Sequence, residues 1–426
     1  MHHFDYRDGR LHAEDVDIAE IVAAVGTPVY IYSSATISRH YTVFRDALGP
    51  RAHVFYAMKA NANLGVLSTL ARLGAGADVV SEGEIRKAMA AGIPAARIVF
   101  SGVGKTEEEL AHAVCVGVYQ INIESEGELE ALSRVAARLG RTQNAVFRVN
   151  PDIGAGGHAK ITTGSSANKF GISFDEAARL YAKGSNLPGV RIVGLAVHIG
   201  SQILEFSEME GAFRKMRGLV ESLRGEGHAV ERLDLGGGVG VPYEIPQPFV
   251  YGPDVIEQYA AMVHRVMDGL DVELGFEPGR VIVANAGILV TRALYINHRP
   301  DRQFLVVDAA MNDLVRPAMY EAYHEIWPVT EPEAGTPRVS YDVVGPICET
   351  GDTFTTGRML PEVKPGDLIA LKSAGAYGAT MSSTYNQRRL VAEVLVNGDR
   401  FAVTRPRMSY EELLAQDRLP DWLAAP

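Results

Sequence analysis

Hydrophobic and polar positions follow two rhythms along this chain. From about residue 29 to about residue 280, short runs rich in β-branched and aromatic residues alternate with longer stretches of helical period. The expected strands are HVFYAMKA (53–60), ADVVS (77–81), RIVFS (97–101), YQINI (119–123), AVFRVN (145–150), RIVGLAVHIG (191–200), RLDLGG (232–237) and ELGFEP (273–278). Amphipathic segments such as NLGVLSTLARLG, GEIRKAMAAG, EELAHAVCVG and LEALSRVAARLG separate them. Ser81–Glu84, Thr106–Glu109 and Ser125–Glu128 each carry the S/T-x-x-E spacing of a capping box and mark helix starts. Repetition of strand and helix requires right-handed parallel crossovers, and eight such strands predict a closed (β/α)8 TIM barrel.

Beyond about residue 280 the helical period fades. ILVTRALYIN, QFLVVDAA, SYDVVGPICE, DLIALKSAG, AEVLVN and RFAVTR are β-rich and separated by turn residues, which predicts a second, C-terminal β domain, sandwich-like or barrel-like. The first residues hold a possible hairpin, FDYRDGRLHAE, expected to join that β domain. The division read from the pattern is an N-terminal segment 1–30, a barrel 31–278 and a β domain 279–426.

Composition narrows the function classes. The chain has 426 residues, 47% hydrophobic and 22% charged, with 41 basic and 52 acidic side chains for a net charge of −11. That balance suits a globular protein and speaks against a general nucleic-acid binder or a polybasic membrane protein. No apolar run approaches the ~18 residues of a membrane span, and MHHFDYRDGR has no signal-peptide core. Two cysteines cannot build a disulfide framework, so a cytoplasmic location is expected.

Several motif-like segments carry no chemistry. GVGKT (102–106) imitates the end of a phosphate-binding loop, but the glycine required five residues before Gly104 is Val99. GGGVGV (236–241) lacks the third glycine of a dinucleotide fingerprint, since that position is Val241. The twelve histidines show no HExxH or comparable zinc spacing, and no metal is expected.

The unusual residues fall instead at the C-terminal strand ends, where barrels place their active sites. Lys59 closes the first barrel strand, His198 a later one, Gly236, Gly237 and Gly238 follow the next, and Glu277 to Arg280 end the last. A lysine on a rigid strand end can form a Schiff base with an aldehyde. Consecutive glycines let backbone N–H groups close around a phosphate. Glu277 can keep a pyridine nitrogen protonated, and the flat imidazole of His198 can lie against a ring. Together these describe a site for pyridoxal 5′-phosphate.

YAMKAN, HIGSQ, LDLGGGVG, EPGR, GPICETGD and AGAYG, in this order, resemble the fold-type III pyridoxal phosphate decarboxylases, which join an alanine-racemase-type barrel to a C-terminal β domain. MNDLVRPAMY (311–320), NKFGI (168–172) and MSSTYN (381–386) bring the resemblance nearest to the diaminopimelate-type members. The resemblance implies that Lys59 carries the cofactor, His198 stacks on its ring and Glu277 binds its nitrogen. Ser201 and Gly236–Gly238, helped by Gly279, Arg280 and Tyr377, would hold the phosphate. Cys348 would return a proton to the substrate α-carbon. In that family this cysteine comes across a subunit interface, which implies a homodimer whose active site is completed by Cys348 and Glu349 of the partner subunit.

The implied reaction removes carbon dioxide from the D-configured centre of meso-2,6-diaminopimelate and leaves L-lysine, the last step of lysine biosynthesis. A substrate with an ammonium and a carboxylate at its far end needs both an acid and a fixed cation. Arginine suits the latter because its fork binds a carboxylate with two parallel hydrogen bonds. Arg280 and Arg316, with Tyr320, Tyr377 and the acid Glu349, match the substrate contacts of the diaminopimelate enzymes, and Arg316 discriminates best. The other cysteine, Cys115, lies in a helical run where a small buried residue is expected. A decarboxylase for ornithine, arginine or carboxynorspermidine and a non-catalytic pyridoxal phosphate carrier remain as alternatives at this point.

Overall fold

The computed structural model describes residues 2–153, 169–244 and 255–423. Two compact units emerge: Ile37–Val283, and Met1–Thr36 together with Ala284–Pro426. Asn168 of the NKFGI motif lies outside the described residues.

The first unit is the barrel. Its strands are β1 (Ala52–Ala57), β2 (Gly76–Val79), β3 (Ile98–Phe100), β4 (Gln120–Ile123), β5 (Gln143–Asn150), β6 (Val190–Ala196), β7 (Arg232–Asp234) and β8 (Glu273–Phe276). Every neighbouring pair is parallel, and β8 pairs back onto β1 through Phe276↔Val54, which closes the ring. Strands such as Gly76–Val79 and Gln120–Ile123 are buried at every position, because the barrel interior covers one face and helices the other. The helices bury single stripes: Ser207–Gly225 hides Met209, Phe213, Met216, Val220 and Leu223, spaced three and four residues apart.

The three expected capping boxes differ in detail. In all three the Ser or Thr hydroxyl accepts the N–H three residues on. Only at Thr106 does the glutamate reach back to the cap's own N–H. Glu84 and Glu128 accept from Val80 and Glu124 instead, one residue further back, and so tie strand ends to helix starts. The lysine of the GVGKT segment is structural: Lys105 is buried and donates to the Gly102 and Asn122 carbonyls and to Glu128. Cys115 departs from expectation. Leu110, Ala113 and Val114 form the buried stripe of the helix Glu107–Val116, and Cys115, a further 100° round the helix, is exposed.

The second unit is built on nine strands forming one continuous set of pairings. Gly287–His298 is its spine, pairing antiparallel with Val29–Ser33 and Leu368–Leu371 in its first half and with Gln303–Val307 in its second. The unit breaks fall after Thr36 and after Val283, later than the 30 and 278 read from the pattern. Val29–Ser33 is captured between Gly287–His298 and Ala392–Asn397, which carries it into the β unit. The expected hairpin forms, with Phe4–Arg7 against Arg10–Ala13 around an Asp8–Gly9 turn at positive φ. Phe4, Leu11, Ile18 and Ile21 bury themselves with Ile31, Ile288, Val290 and Val394. Four strands, Val16–Asp17, Val29–Ser33, Ile326–Pro328 and Thr353–Pro361, were not anticipated. The run SYDVVGPICE ends as strand at Val344, and GPICE continues as a loop.

Candidate active site

At the C-terminal end of the barrel a cavity of about 180 Å³ is lined by Lys59, Asn122, Arg148, Phe170, His198 and Glu277 among others. Lys59 sits on a single 3₁₀ turn that follows β1, with its side chain 38% exposed and its ammonium 2.6 Å from Asp78 Oδ2 at the end of β2. Directly after β8, Pro278 accepts the Ala57 N–H, which brings Glu277 and the lysine segment together. A Cβ on Gly279 would press on the Ala57 and Ala60 methyls at 3.1 and 3.0 Å, so glycine is needed for that approach.

Glu277 is buried and receives the Asn122 side-chain amide at 3.4 Å. Burial first, and then the charges of Asp234 and Asp78, hold its carboxyl well above the usual range. Asp234, at the end of β7, is pushed up to about 7, chiefly by burial. His198 is pushed the other way: burial, with Arg148 and Lys59 nearby, holds its imidazole neutral. The Gly237 N–H donates to His198 Nδ1 at 3.2 Å, which assigns the remaining ring proton to Nε2.

The glycine run is shaped by the protein as well as for a ligand. The Gly236 amide donates to Asp234 Oδ1 at 2.9 Å, and side chains on Gly236 or Gly237 would collide with the carbonyls of Val197 or Glu277. Gly236 and Gly238 also hold positive φ, 68° and 110°. The Gly236 and Gly237 amides thus both have partners within the barrel in this structure. Arg280 is buried and donates to Ser201 Oγ at 3.1 Å and to the Tyr243 hydroxyl at 2.8 Å, joining two of the expected cofactor residues.

Sequence reasoning missed Asp78, Asp234, Asn122 and Arg148. Arg148 pairs with buried Glu124 at 3.0 Å and lies over the Phe170 ring. A signal existed for the two aspartates: each is an acid inside an otherwise apolar barrel strand, a position where unpaired charge is costly. The site gathers three buried carboxylates, and Asp78 Oδ1 has no hydrogen-bond partner. Such a set favours a ligand that brings positive charge, and a protonated pyridine nitrogen facing Glu277 does so. The residues therefore fit pyridoxal phosphate.

The other expected residues lie in the β unit. Arg316 opens the short helix Arg316–Tyr320 and is 5% exposed. Its Nη1 donates to His324 Nε2 at 2.8 Å. Tyr320 ends that helix, half-buried. Cys348 and Glu349 are exposed on the loop after Val344, where the Tyr385 hydroxyl donates to Glu349 at 3.0 Å and the Cys348 N–H donates to Asn386 Oδ1. Buried Asp352 fixes this loop by accepting the Ile347 and Met311 N–H groups, both at 2.6 Å. Tyr377 has φ of 55°, a left-handed conformation a tyrosine rarely adopts, and this strain sits at an expected functional position.

Residues 34–284 match the family model described as pyridoxal-dependent decarboxylase, pyridoxal binding domain. The chain is 46% identical over 424 residues to a diaminopimelate decarboxylase of Zymomonas mobilis, with 99% of each chain covered. A diaminopimelate decarboxylase of Pseudomonas aeruginosa is 47% identical, covering 98% of this chain and 99% of the relative. The chain belongs to the diaminopimelate decarboxylases. Among solved structures, a diaminopimelate decarboxylase from M. jannaschii in co-complex with L-lysine superposes with a TM-score of 0.92 at 35% identity, covering 99% of this chain and 98% of that one. Membership of the diaminopimelate decarboxylases makes pyridoxal phosphate the cofactor of the barrel site and this chain a carboxy-lyase.

Proposed function

We propose that the enzyme decarboxylates meso-2,6-diaminopimelate to L-lysine and carbon dioxide, with the residue roles that follow. The observation that carries this reading is the barrel cavity in which Lys59, His198 and Glu277 converge. When bound, pyridoxal phosphate supplies an aldehyde for an amine and a protonated ring that draws electrons from the adjoining carbon. Lys59 would hold the cofactor covalently through its side-chain amine. Glu277 would bind the ring nitrogen and keep it protonated, and His198, neutral, would lie against the ring face. Ser201, Gly236–Gly238, Gly279, Arg280 and Tyr377 hold the phosphate.

Substrate recognition falls to Arg280, Arg316, Tyr320, Tyr377 and Glu349: Arg316 takes the distal carboxylate and Glu349 the distal ammonium. Once carbon dioxide has left, the Cys348 thiol would deliver the proton that the substrate α-carbon takes up in its place. Both Cys348 and Glu349 face outward on a loop fixed by Asp352, which supports their service to a second copy. The working form is then a homodimer, each site completed by Cys348 and Glu349 of the partner subunit. The cytoplasm is the matching compartment, in keeping with two free cysteines. Among the described residues no helix is long and apolar enough to cross a membrane.

Lys59→Ala tests the cofactor assignment. The variant is expected to lose the lysine-linked visible absorbance band of the holoenzyme, and persistence of that band would place the covalent link elsewhere.

A further inference from the structure

We propose that His324 is a positioning residue for substrate recognition: through a neutral imidazole it aims the Arg316 guanidinium at the distal carboxylate. The inference rests on the reading of Arg316 as the carboxylate anchor. His324 is 2% exposed, in the turn between the helix Arg316–Tyr320 and the strand Ile326–Pro328. Its Nδ1 is 2.8 Å from the Lys372 carbonyl oxygen, which can only accept, so Nδ1 carries the proton. Nε2 is then a lone pair, and it receives Arg316 Nη1 at 2.8 Å. The Lys372 backbone is itself fixed, since its N–H donates to the Glu325 carbonyl at 2.8 Å where the strands Ile326–Pro328 and Leu368–Leu371 pair. A rigid sheet edge, a neutral imidazole and a buried guanidinium thus form one line.

The chemistry of the residue matters. Aspartate or glutamate at position 324 would orient the arginine equally well, but its charge would neutralise the guanidinium and compete with the substrate carboxylate. An uncharged imidazole donates on one side and accepts on the other, so it fixes the fork and leaves the net positive charge in place. Partners that orient ligand-binding groups in this way commonly contribute 10- to 100-fold, by analogy with metal sites.

Two amides separate the contacts. In His324→Asn the amide sits near the Nδ1 position and keeps only the Lys372 contact; in His324→Gln it reaches the Nε2 position and keeps the acceptor for Arg316. For the holoenzyme acting on meso-diaminopimelate, H324N is expected to raise KM about tenfold or more with kcat changed less than about threefold. H324Q is expected to restore KM to within about threefold of wild type. In an Arg316→Ala background, itself expected to lose at least ~100-fold in kcat/KM, H324N should add nothing further. A normal KM in H324N, a KM in H324Q as poor as in R316A, or additive losses in the double variant would each overturn the role of His324. A normal KM in R316A would instead overturn the anchor beneath it. Should H324N fail to fold, the H324Q comparison decides alone.

Discussion

At Glu277 and Asp234, burial first, and then the charges of Asp234 and Asp78 on the one and of Asp78 on the other, raise the carboxyls above their usual range, and this has a consequence for stability. Asp234 titrates near about 7 in the folded cofactor-free protein, against ~3.9 in an unfolded chain. Between those values the folded state holds a proton that the unfolded state has released. The contribution of Asp234 is therefore complete below ~4 and is lost as pH rises through about 7. Cofactor-free enzyme is expected to melt at a lower temperature at pH 8 than at pH 5, and Asp234→Asn should shrink that difference. An unchanged pH slope in D234N would mean that Asp234 is ionised throughout. At this scale the sequence revealed the residues whose type is unusual for their place, such as a lysine and a glycine run at strand ends. It concealed Asn122, whose partner Glu277 lies 155 residues away in sequence.

Strands and helices explain why the site is assembled where it is. All eight barrel strands were legible because each is a short apolar run bracketed by turn residues and amphipathic helices. Val29–Ser33 could not be assigned to its sheet in the same way: a fully buried strand reads identically whichever sheet it enters, and only the pairing with Gly287–His298 decides. Thr353–Pro361 escaped because its exposed glycine and half-buried arginine interrupt the apolar alternation. The turn after β7 makes the strongest demand on sequence. Gly237 lies against the Glu277 carbonyl and donates to His198, so Gly237→Ala should push apart the ends of three strands. We expect G237A to lose about 1–3 kcal/mol of stability and to bind pyridoxal phosphate more weakly. Wild-type melting temperature and cofactor affinity in this variant would show that the turn accommodates a methyl group.

For the molecule as a whole, the proposed chemistry divides between a barrel that holds the cofactor and a β unit that carries Arg316, Cys348 and Glu349. If Cys348 serves the neighbouring subunit, two inactive variants repair each other. Lys59→Ala mixed with Cys348→Ala, dissociated and reassociated, gives heterodimers with one intact site of two, and so roughly a quarter of wild-type activity. Mixtures as inactive as their components would confine Cys348 to its own subunit or remove it from the reaction. The two-unit organisation was visible in the change of hydrophobic rhythm near residue 280. The reach of the Cys348 loop was not, because a loop of Gly, Pro and acidic residues carries no periodicity.

The central claim is that this holoenzyme turns meso-diaminopimelate into L-lysine. The direct measurement incubates purified protein and pyridoxal phosphate separately with meso-diaminopimelate, L-ornithine, L-arginine and carboxynorspermidine, and records carbon dioxide and amine products. L-Lysine with an equal amount of carbon dioxide, from diaminopimelate alone, is the predicted result. Turnover of another of the four in its place would contradict the account of the Arg316 and Glu349 pocket.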